Sequence, residues 1–459
     1  MNVIIEGATI VTMDDSRRVV NDGTLVIEQD RIAKICKHHE LQKTQYHGYE
    51  ILDARGKAIF PGFINAHTHV AMQLFRGICE DQPNSLYDYI FPMERYLTGE
   101  DCYIGSLLGC VEALKSGVTC ISDHYHFMEH TAKAVEETGI RGVLAHKIWE
   151  IDLSDPPRYD LKAKRGVYNY VREEAEKRLA EGVKLVREWH NAASGRITCR
   201  LGPHAPDTCS TEILQRIREL ASKHNVGIFI HCSQSEMEVQ QIQRRSRKSG
   251  SVDYLDNIGF LGPDVLAAHC IFVNQKEIRV LRNTGTKVSH NPVSNAEDGV
   301  VAPIVDMLGL GVTVGLGTDC FSMDILSEMR HAALLNKVKH GNPLVISARK
   351  VLEMATRGSA QCLGLEKEIG SLQEGKKADI VIVDLRKPHL VPMKSVETNL
   401  VYYALPSDID TVIINGEIVV KDGRVTTIDE NMILEKARKT ARDWWKRSGK
   451  VPDSDQHMI

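Results

Sequence analysis

Several features that mark secreted, membrane or nucleic-acid-binding proteins are missing from this sequence. Its 11 cysteines form no Cys-x-x-Cys pair, and an odd count without framework spacing favours free thiols in a reducing compartment. No apolar run reaches the roughly 18 residues that a membrane-spanning helix needs. The first residues, MNVIIEGATIV, lack the basic region and cleavage site of a signal peptide. We therefore expect a cytoplasmic protein with no membrane partner.

The sequence also lacks an excess of either charge. It has 57 Lys and Arg against 61 Asp and Glu, which gives a net charge of −4. Nucleic-acid-binding domains usually carry a basic surplus, so no nucleic-acid partner is expected. The length of 459 residues exceeds the usual domain size of roughly 50–250 residues. One large domain and one smaller domain are therefore predicted.

The two ends of the chain share a pattern of short strands in which apolar and polar residues alternate. In residues 2–35 the alternation predicts strands with a turn at Asn21-Asp22-Gly23. The pattern returns in ADIVIVDL and in TVIINGEIVVKDGRV, where Asn415-Gly416 predicts a hairpin. We infer that both ends join one small β-domain.

The segment between these ends alternates short apolar strands with helical stretches. Strands such as AIFPGFINAH, RGVLAHKIW and VGIFIH are each followed by an amphipathic segment, and this βα repetition implies a parallel sheet. About eight strands over about 310 residues fit a closed barrel better than an open sheet. The predicted fold class is α/β, a (β/α)8 TIM barrel with a small β-sandwich domain formed by both chain ends. The predicted bounds are 1–57 plus 371–430 for the small β-sandwich domain, 58–370 for the barrel, and 431–459 for a C-terminal helix and tail.

Histidine and aspartate residues stand where the predicted barrel strands end. They are His67 and His69 at the end of IFPGFINAHTH, His231 in VGIFIH, His269 in VLAAH and Asp319 in VTVGLGTD. Strand C-termini build the active site of such a barrel, so four strands deliver these side chains to one rim. Imidazole and carboxylate are ligands of zinc. A single histidine could simply be a polar strand cap, but the ordered set favours a metal site.

Longer motifs around these residues resemble the amidohydrolase superfamily. They include DARGKAIFPGFINAHTHVAMQLFRG, LGPHAP, AAHC, VSHNPVSN, GLGTD and GSLQEGKKADIVIVDL, and they cover nearly the whole chain. The similarity is greatest to the branch of S-adenosylhomocysteine/methylthioadenosine deaminases and triazine hydrolases such as atrazine chlorohydrolase. The resemblance implies a TIM barrel with a small β-sandwich, one zinc or iron ion, and a homo-oligomer, either a dimer or a tetramer.

The resemblance also implies roles for single residues. It makes His67, His69, His231, His269 and Asp319 the metal ligands, and Asp319 also takes a proton from the attacking water. His290, in SHNP, matches the histidine that polarises the developing anion or contacts the leaving ring. Glu80 and His204 match positions that touch the substrate. No lysine stands in RITCRLGPH to bridge two metals, so a single ion is expected.

One position departs from the deaminase pattern His-x-x-Glu, in which the glutamate shuttles a proton. This chain has His231-Cys232-Ser233-Gln234, and glutamine cannot act as an acid or a base. Losing a general acid typically costs about 10²–10⁴ in rate. Gln234 could be a substrate clamp, and the proton carrier could be Glu236, His290, His124 or His126. The alternatives are that Glu236 and Glu238 begin a solvated helix and that His124 and His126 are structural.

A second departure concerns the third strand of the barrel. In the adenosylhomocysteine enzymes an arginine there often binds the amino-acid tail, whereas this chain has His146-Lys147. The departure favours a substrate other than adenosylhomocysteine.

Together these features predict a metal-dependent hydrolytic deaminase. Its substrate would be a small amino-substituted nitrogen heterocycle of the purine, pterin, pyrimidine or triazine type, and ammonia would be released. One alternative keeps the fold but releases chloride or an alkylamine, or opens a cyclic amide, which Gln234 favours. Another alternative is a catalytically silent metal-binding barrel, which the missing glutamate favours and Asp319 disfavours.

Overall fold

The described part of the computed structural model comprises residues 2–82, 85–155, 157–160 and 165–449. The predicted tail from residue 450 to residue 459 lies outside these ranges. Within them, no helix combines the length and the apolarity that crossing a membrane requires.

The strands are numbered in chain order. They are β1 (Val3–Val11), β2 (Val19–Glu28), β3 (Arg31–Lys37), β4 (Glu50–Asp53), β5 (Lys57–Pro61), β6 (Phe63–Thr68), β7 (Val118–Tyr125), β8 (Arg141–Ile148), β9 (Arg158–Asp160), β10 (Arg165–Val167), β11 (Ile197–Pro203), β12 (Ile228–Cys232), β13 (Val265–His269), β14 (Lys287–His290), β15 (Val314–Leu316), β16 (Ile380–Asp384), β17 (Ile409–Ile414), β18 (Glu417–Lys421) and β19 (Arg424–Val425).

The α-helices are numbered in the same way. They are α1 (Phe91–Glu94), α2 (Gly99–Lys115), α3 (Met128–Thr138), α4 (Arg172–Trp189), α5 (Ala192–Gly195), α6 (Thr211–His224), α7 (Glu236–Ser246), α8 (Ser251–Asn257), α9 (Gln275–Thr284), α10 (Pro292–Glu297), α11 (Ile304–Gly309), α12 (Ile325–His340), α13 (Ala348–Glu353), α14 (Ser359–Leu363), α15 (Val396–Tyr403) and α16 (Glu430–Ser448).

Eight parallel strands form the barrel, in the order β6, β7, β8, β11, β12, β13, β14 and β15. A parallel bridge between Thr68 and Asp319 joins the end of β6 to the segment after β15. The His69 amide N–H also donates to the Asp319 carbonyl over 3.0 Å. These contacts bring the two edge strands together, and the predicted (β/α)8 barrel is confirmed.

The barrel interior is filled by small and branched side chains that point inward from alternate strand positions. Ile64 and Ala66 of β6 pack there with Val143 of β8, Phe229 of β12 and Leu266 of β13. Residues of α14 belong to the same buried cluster. The interior is apolar, and the histidines lie at the C-terminal rim of the strands, above this core.

Both chain ends contribute to a second sheet of nine strands, as predicted. The hairpin predicted at Asn415-Gly416 is present between β17 and β18, with both residues in the left-handed region (φ 53° and 79°). The turn predicted at Asn21-Asp22-Gly23 is wrong, because β2 runs through it. The β1–β2 register shifts beside Ala8, the partner of Gly23, so the glycine-containing signal reflects a bulge rather than a turn.

The segment AIFPGFINAH, predicted as one strand, forms two strands in different sheets. Lys57–Pro61 pairs with β16 of the small sheet, and Phe63–Thr68 begins the barrel. Gly62 lies between them, and a Cβ atom there would come within 2.1 Å of Thr119 Oγ1. The chain can therefore cross between the sheets at this point only without a side chain.

The turn that follows His69, residues 70–75, is braced by two helices. A Cβ atom on Gly105 of α2 would lie 2.4 Å from the Ala71 carbonyl oxygen, so this helix packs directly against the turn. The predicted C-terminal helix, α16, places Trp444 on Phe75 with ring centroids 4.3 Å apart. The backbone next to the histidine pair is therefore held from outside the barrel.

Candidate metal centre and substrate cavity

The five predicted ligand side chains meet at the C-terminal rim of the barrel. Asp319 Oδ1 lies 3.2 Å from His67 Nε2 and 3.3 Å from His69 Nε2. Asp319 Oδ2 lies 3.8 Å from His269 Nε2, and His231 Nε2 lies 3.3 Å from His69 Nε2. Two groups of three ligands, one with His231 and one with Asp319, each keep their ligand atoms within 4.8 Å of one another.

Two of these ligands sit on strained backbone. His269 and Asp319 adopt positive φ angles of 72° and 64°, a left-handed conformation that non-glycine residues rarely take. Such residues cost about 1–3 kcal/mol each and cluster at functional sites. The strain turns the last side chains of β13 and of the segment after β15 towards the centre.

Backbone and amide oxygens orient the imidazole rings. The pairs are His69 Nδ1 with the His124 carbonyl at 2.7 Å, His231 Nδ1 with the His204 carbonyl at 2.8 Å, and His269 Nδ1 with Asn295 Oδ1 at 3.2 Å. Because Nδ1 of His69 and of His231 donates to a carbonyl oxygen, the proton is held there and the lone pair of Nε2 faces the centre.

The protonation states match those that a metal requires. Burial lowers the pKa of His67 to about 3 and that of His231 well below its ordinary value, so both rings are neutral. Burial alone would raise the pKa of Asp319, but the neighbouring His269, His67 and His69 hold it well below the usual range. Neutral imidazoles and an ionised carboxylate are the forms that bind a divalent ion.

The hydrogen-bond pattern also fits a metal. Among the described residues, the buried Nε2 of His269 has no hydrogen-bond partner, and buried polar atoms are rarely left without one. An ion in contact with this atom would satisfy it. The residues present therefore fit a divalent metal ion.

A cavity of about 230 Å³ opens above the ligands. Six predicted site residues line it, namely His69, Glu80, His204, His231, Gln234 and Asp319. Its volume is below the roughly 300–1,000 Å³ of drug-sized pockets, so it suits a small ligand.

His204 presents a hydrogen-bond acceptor to this cavity. The Thr208 hydroxyl donates to the Ala205 carbonyl over 3.2 Å, so its oxygen accepts from His204 Nδ1 over 2.9 Å. The proton therefore resides on Nδ1, and Nε2 carries a lone pair. Burial lowers the pKa of His204 well below its ordinary value, which keeps the ring neutral.

Gln234 is held in the cavity wall by Glu238, for which a solvated helix start was one of the alternatives. The Ser233 and Gln234 amides donate to the two Glu238 carboxylate oxygens over 2.7 and 2.8 Å. Glu238 is buried, and burial raises its pKa to about 8. The backbone that carries Gln234 is therefore fixed independently of its own side chain. The spacing Ser235-x-x-Glu238 was the available signal, since it marks a helix N-terminus.

The other four candidate residues lie away from the cavity wall that the described residues form. Glu236 is exposed at the first residue of α7. His124 Nε2 lies 2.8 Å from the Gly202 carbonyl oxygen, and His126 lies between Glu94 and Arg178. His290 is buried at the end of β14, and neither ring nitrogen has a hydrogen-bond partner among the described residues.

Three further residues belong to the site. Ser294 Oγ donates to Asp319 Oδ2 over 2.6 Å, and the motif VSHNPVSN that contains it was the available signal. Glu94 and Lys147 form a buried ion pair in the cavity wall. No local pattern marks Glu94, because its partner is distant in the sequence.

Comparisons with known proteins agree with this geometry. The model of the amidohydrolase family matches residues 58–419. A 5'-deoxyadenosine deaminase of Methanosarcina mazei is 43% identical over 96% of this chain and 98% of its own length. A 5-methylthioadenosine/S-adenosylhomocysteine deaminase of Desulforudis audaxviator is 40% identical over 96% of this chain and 99% of its own.

Solved structures show the same fold. A zinc-bound adenosine deaminase from Xanthomonas campestris aligns with a TM-score of 0.88 at 25% identity, over 98% of this chain and 99% of its own. The zinc complex of atrazine chlorohydrolase TrzN from Arthrobacter aurescens aligns with a TM-score of 0.85 at 23% identity, over 96% of this chain and 100% of its own.

Proposed function

Because the chain belongs to the amidohydrolase family, we propose that it is a metal-dependent hydrolytic deaminase of an adenine nucleoside altered at its 5' position, releasing ammonia. The observation that carries the proposal is the convergence of four imidazoles and Asp319 beneath a small cavity. The names of the two full-length relatives supply the substrate class.

Zinc is the proposed ion, and ferrous iron is the second candidate. The support is the ligand set of imidazoles and one carboxylate, which both metals accept. When bound, a divalent ion supplies an acidified water and electrostatic stabilisation of developing negative charge.

The residues of the chain orient the substrate and move protons. Asp319 Oδ2, held by the Ser294 hydroxyl at 2.6 Å, accepts the proton of the attacking water and returns it to the leaving amine. His204 Nε2 accepts a hydrogen bond from the substrate. The Gln234 amide donates to a ring nitrogen, and Glu80 accepts from a sugar hydroxyl. His290 is neutral because burial lowers its pKa to about 3, and we assign it no contact with the substrate because it is not among the described residues that line the cavity.

We propose further that the protein acts in the cytoplasm as a homo-oligomer. The support for a reducing compartment is that all 11 cysteines are free. The support for self-association is the exposure of Val338 and Leu344, at 80% and 87%. Light scattering on the purified protein tests the second part, and a strictly monomeric mass would contradict it.

Ammonia release tests the proposed reaction. Zinc-loaded protein is assayed on 5'-deoxyadenosine, 5'-methylthioadenosine and adenosine, and then on aminopterins, aminopyrimidines and aminotriazines. Asp319→Asn, which removes the proton acceptor, is expected to reduce ammonia release by at least about 10³-fold. Turnover that is unchanged in Asp319→Asn would refute the assignment.

Gln234 favours a second candidate reaction. A leaving group that needs no acid assistance, such as chloride, would not require a glutamate at this position. If no amine substrate releases ammonia and substituted triazines release chloride or an alkylamine, the deaminase proposal is wrong and this second reaction takes its place. Metal binding without turnover of any of these compounds would favour a catalytically silent barrel.

A further inference from the structure

The segment that follows β15 carries Asp319 and adopts a backbone that needs support from outside. Asp319 and Phe321 both have positive φ angles, 64° and 68°, and such residues persist only where the surrounding structure holds them. Asp319, Cys320 and Phe321 also line the substrate cavity. A shift of this segment would therefore move a proposed metal ligand together with part of the cavity wall.

The first strand of the barrel holds the beginning of this segment. The Asp319 N–H donates to the His67 carbonyl over 3.0 Å, and the Asp319 carbonyl accepts from the Thr68 hydroxyl over 2.9 Å. Both partners belong to β6, which ends beside His69. These bonds fix the backbone of Asp319 itself, but they do not reach the residues after it.

The rest of the segment is held by Arg76, which stands directly after the turn at residues 70–75. Arg76 Nε donates to the Phe321 carbonyl over 2.7 Å, and Nη2 donates to Glu112 Oε2 of α2 over 2.6 Å. The other oxygen of Glu112, Oε1, accepts from the Met323 N–H over 3.0 Å. The two side chains therefore form a clamp that holds the segment at Phe321 and at Met323.

The geometry of this clamp requires a guanidinium group. Nε and Nη2 of Arg76 bind two different partners, and the planar group fixes the angle between these bonds. A lysine has a single nitrogen on a flexible chain, so it could balance the charge of Glu112 without holding Phe321 in the same direction. The two side chains are 45% and 31% exposed. Because exposed ion pairs add little to the free energy of unfolding, the clamp should affect the site more than the overall stability.

We propose that Arg76 and Glu112 are positioning residues that set the direction of the Asp319 carboxylate by holding the strained segment after it. Neither is among the described residues that line the cavity, so both act through Asp319 rather than on the substrate. Without the clamp, the positive φ angles could relax and the carboxylate would turn away from the neighbouring imidazoles. The inference rests on the proposed function, since it takes Asp319 as a metal ligand and proton acceptor.

Two variants of Arg76 test the proposal, namely Arg76→Met and Arg76→Lys. Groups that orient a metal ligand typically contribute about 10–100-fold to metal affinity, so zinc affinity should fall at least about 10-fold in both variants. In the zinc-saturated proteins, kcat for ammonia release should fall at least about 10-fold while KM stays within about 3-fold of wild type. Wild-type affinity and kcat in Arg76→Lys would show that charge alone suffices and would overturn the proposed clamp.

Arg216→Met is the matched control. Arg216 of α6 contacts both oxygens of Glu176 at 2.5 and 2.6 Å, and the two side chains are 49% and 35% exposed, much like the clamp. Arg216 is not among the described residues that line the cavity. Arg76→Met and the control should melt at similar temperatures, but only Arg76→Met should lose zinc affinity. Equal zinc affinity of these two variants would overturn the proposal.

The absorption spectrum of the cobalt(II)-substituted proteins distinguishes this inference from the proposed function, because it reports ligand geometry without turnover. A spectrum that changes in Arg76→Lys, while wild type releases no ammonia, would refute the deaminase proposal alone. Spectra and affinities equal to wild type, while wild type does release ammonia, would refute the positioning role alone. If the Arg76 variants fail to fold, Glu112→Gln gives the same comparison, because it keeps the acceptor for Met323 and loses the acceptor for Arg76. Wild-type metal affinity in Glu112→Gln would equally overturn the proposal.

Discussion

At the scale of single residues, the least usual feature of the site is an amide at the position where a carboxylate shuttles protons in similar deaminases. Gln234 lines the cavity, and its backbone is held by Glu238 rather than by its own side chain. A change of this side chain should therefore alter proton transfer without moving the loop.

Gln234→Glu tests this arrangement directly. The new carboxyl group could carry a proton to the leaving amine, so kcat for ammonia release should rise at least about 10-fold. Steady-state rates from pH 5 to pH 9 provide the measurement, and the variant should gain an acidic limb. Gln241→Glu, on the partly exposed side of α7, is the control for the added charge. A rate below that of wild type would show that Asp319 alone carries the proton.

The burial of His290 should make the stability of the folded protein depend on pH. Burial lowers its folded-state pKa to about 3 from an ordinary value of 6.5. Below pH 6.5 the unfolded chain binds a proton that the folded protein cannot, so stability falls as the pH decreases towards 3. At one pH unit below the unfolded pKa, this histidine should cost about 1.4 kcal/mol.

The measurement compares wild type with His290→Asn by thermal melting at pH 7.5 and pH 5.5. Other titrating groups are common to both proteins and cancel in the difference. The melting temperature of the variant minus that of wild type should be larger at pH 5.5 than at pH 7.5. An unchanged gap between the two proteins would mean that His290 is not held neutral by the fold.

At the scale of elements, helix α10 contacts two of the proposed metal ligands at the strand ends. Although it has only six residues (Pro292–Glu297), it supplies Ser294 to Asp319 and Asn295 to His269. Its partners come from two different strand ends. The helix therefore fixes the orientation of two ligands at once.

Asn295→Ala should weaken metal binding by about 10–100-fold, because the His269 ring loses the acceptor that fixes its orientation. Competition with a chromophoric chelator measures the affinity. Asn336→Ala removes an equally buried amide that donates to the Ala332 carbonyl within α12. This control should lower stability without changing metal affinity. Equal metal affinity of wild type and Asn295→Ala would show that Asn295 does not orient the His269 ring.

At the scale of the whole molecule, the barrel and the small sheet are joined by a buried ion pair. Arg141 of β8 donates to both Asp379 oxygens, from Nε over 2.8 Å and from Nη2 over 2.9 Å. The Asp379 backbone carbonyl also accepts from Gly62 over 2.9 Å, at the point where the chain passes between the sheets. Removing one charge here leaves the other buried without a partner.

Arg141→Met should therefore lower the free energy of unfolding by about 3–5 kcal/mol. Arg386→Met breaks the exposed pair with Asp384 and should change it by less than about 1 kcal/mol. Thermal melting with intrinsic fluorescence measures both variants. Comparable melting temperatures for the two would show that the buried pair does not stabilise the junction.

The sequence by itself determined the βα rhythm, the joining of the chain ends and the histidines at the strand ends, because each is a local pattern of period or position. Only the tertiary structure decided which glutamate supports Gln234, how IFPGFINAH divides at Gly62, and that Glu94 meets Lys147. Glu94 and Lys147 are 53 residues apart, and such contacts depend on strand register and helix packing. Local periodicity carries no information about these long-range contacts, since burial and partner choice are set by elements that are distant in the chain.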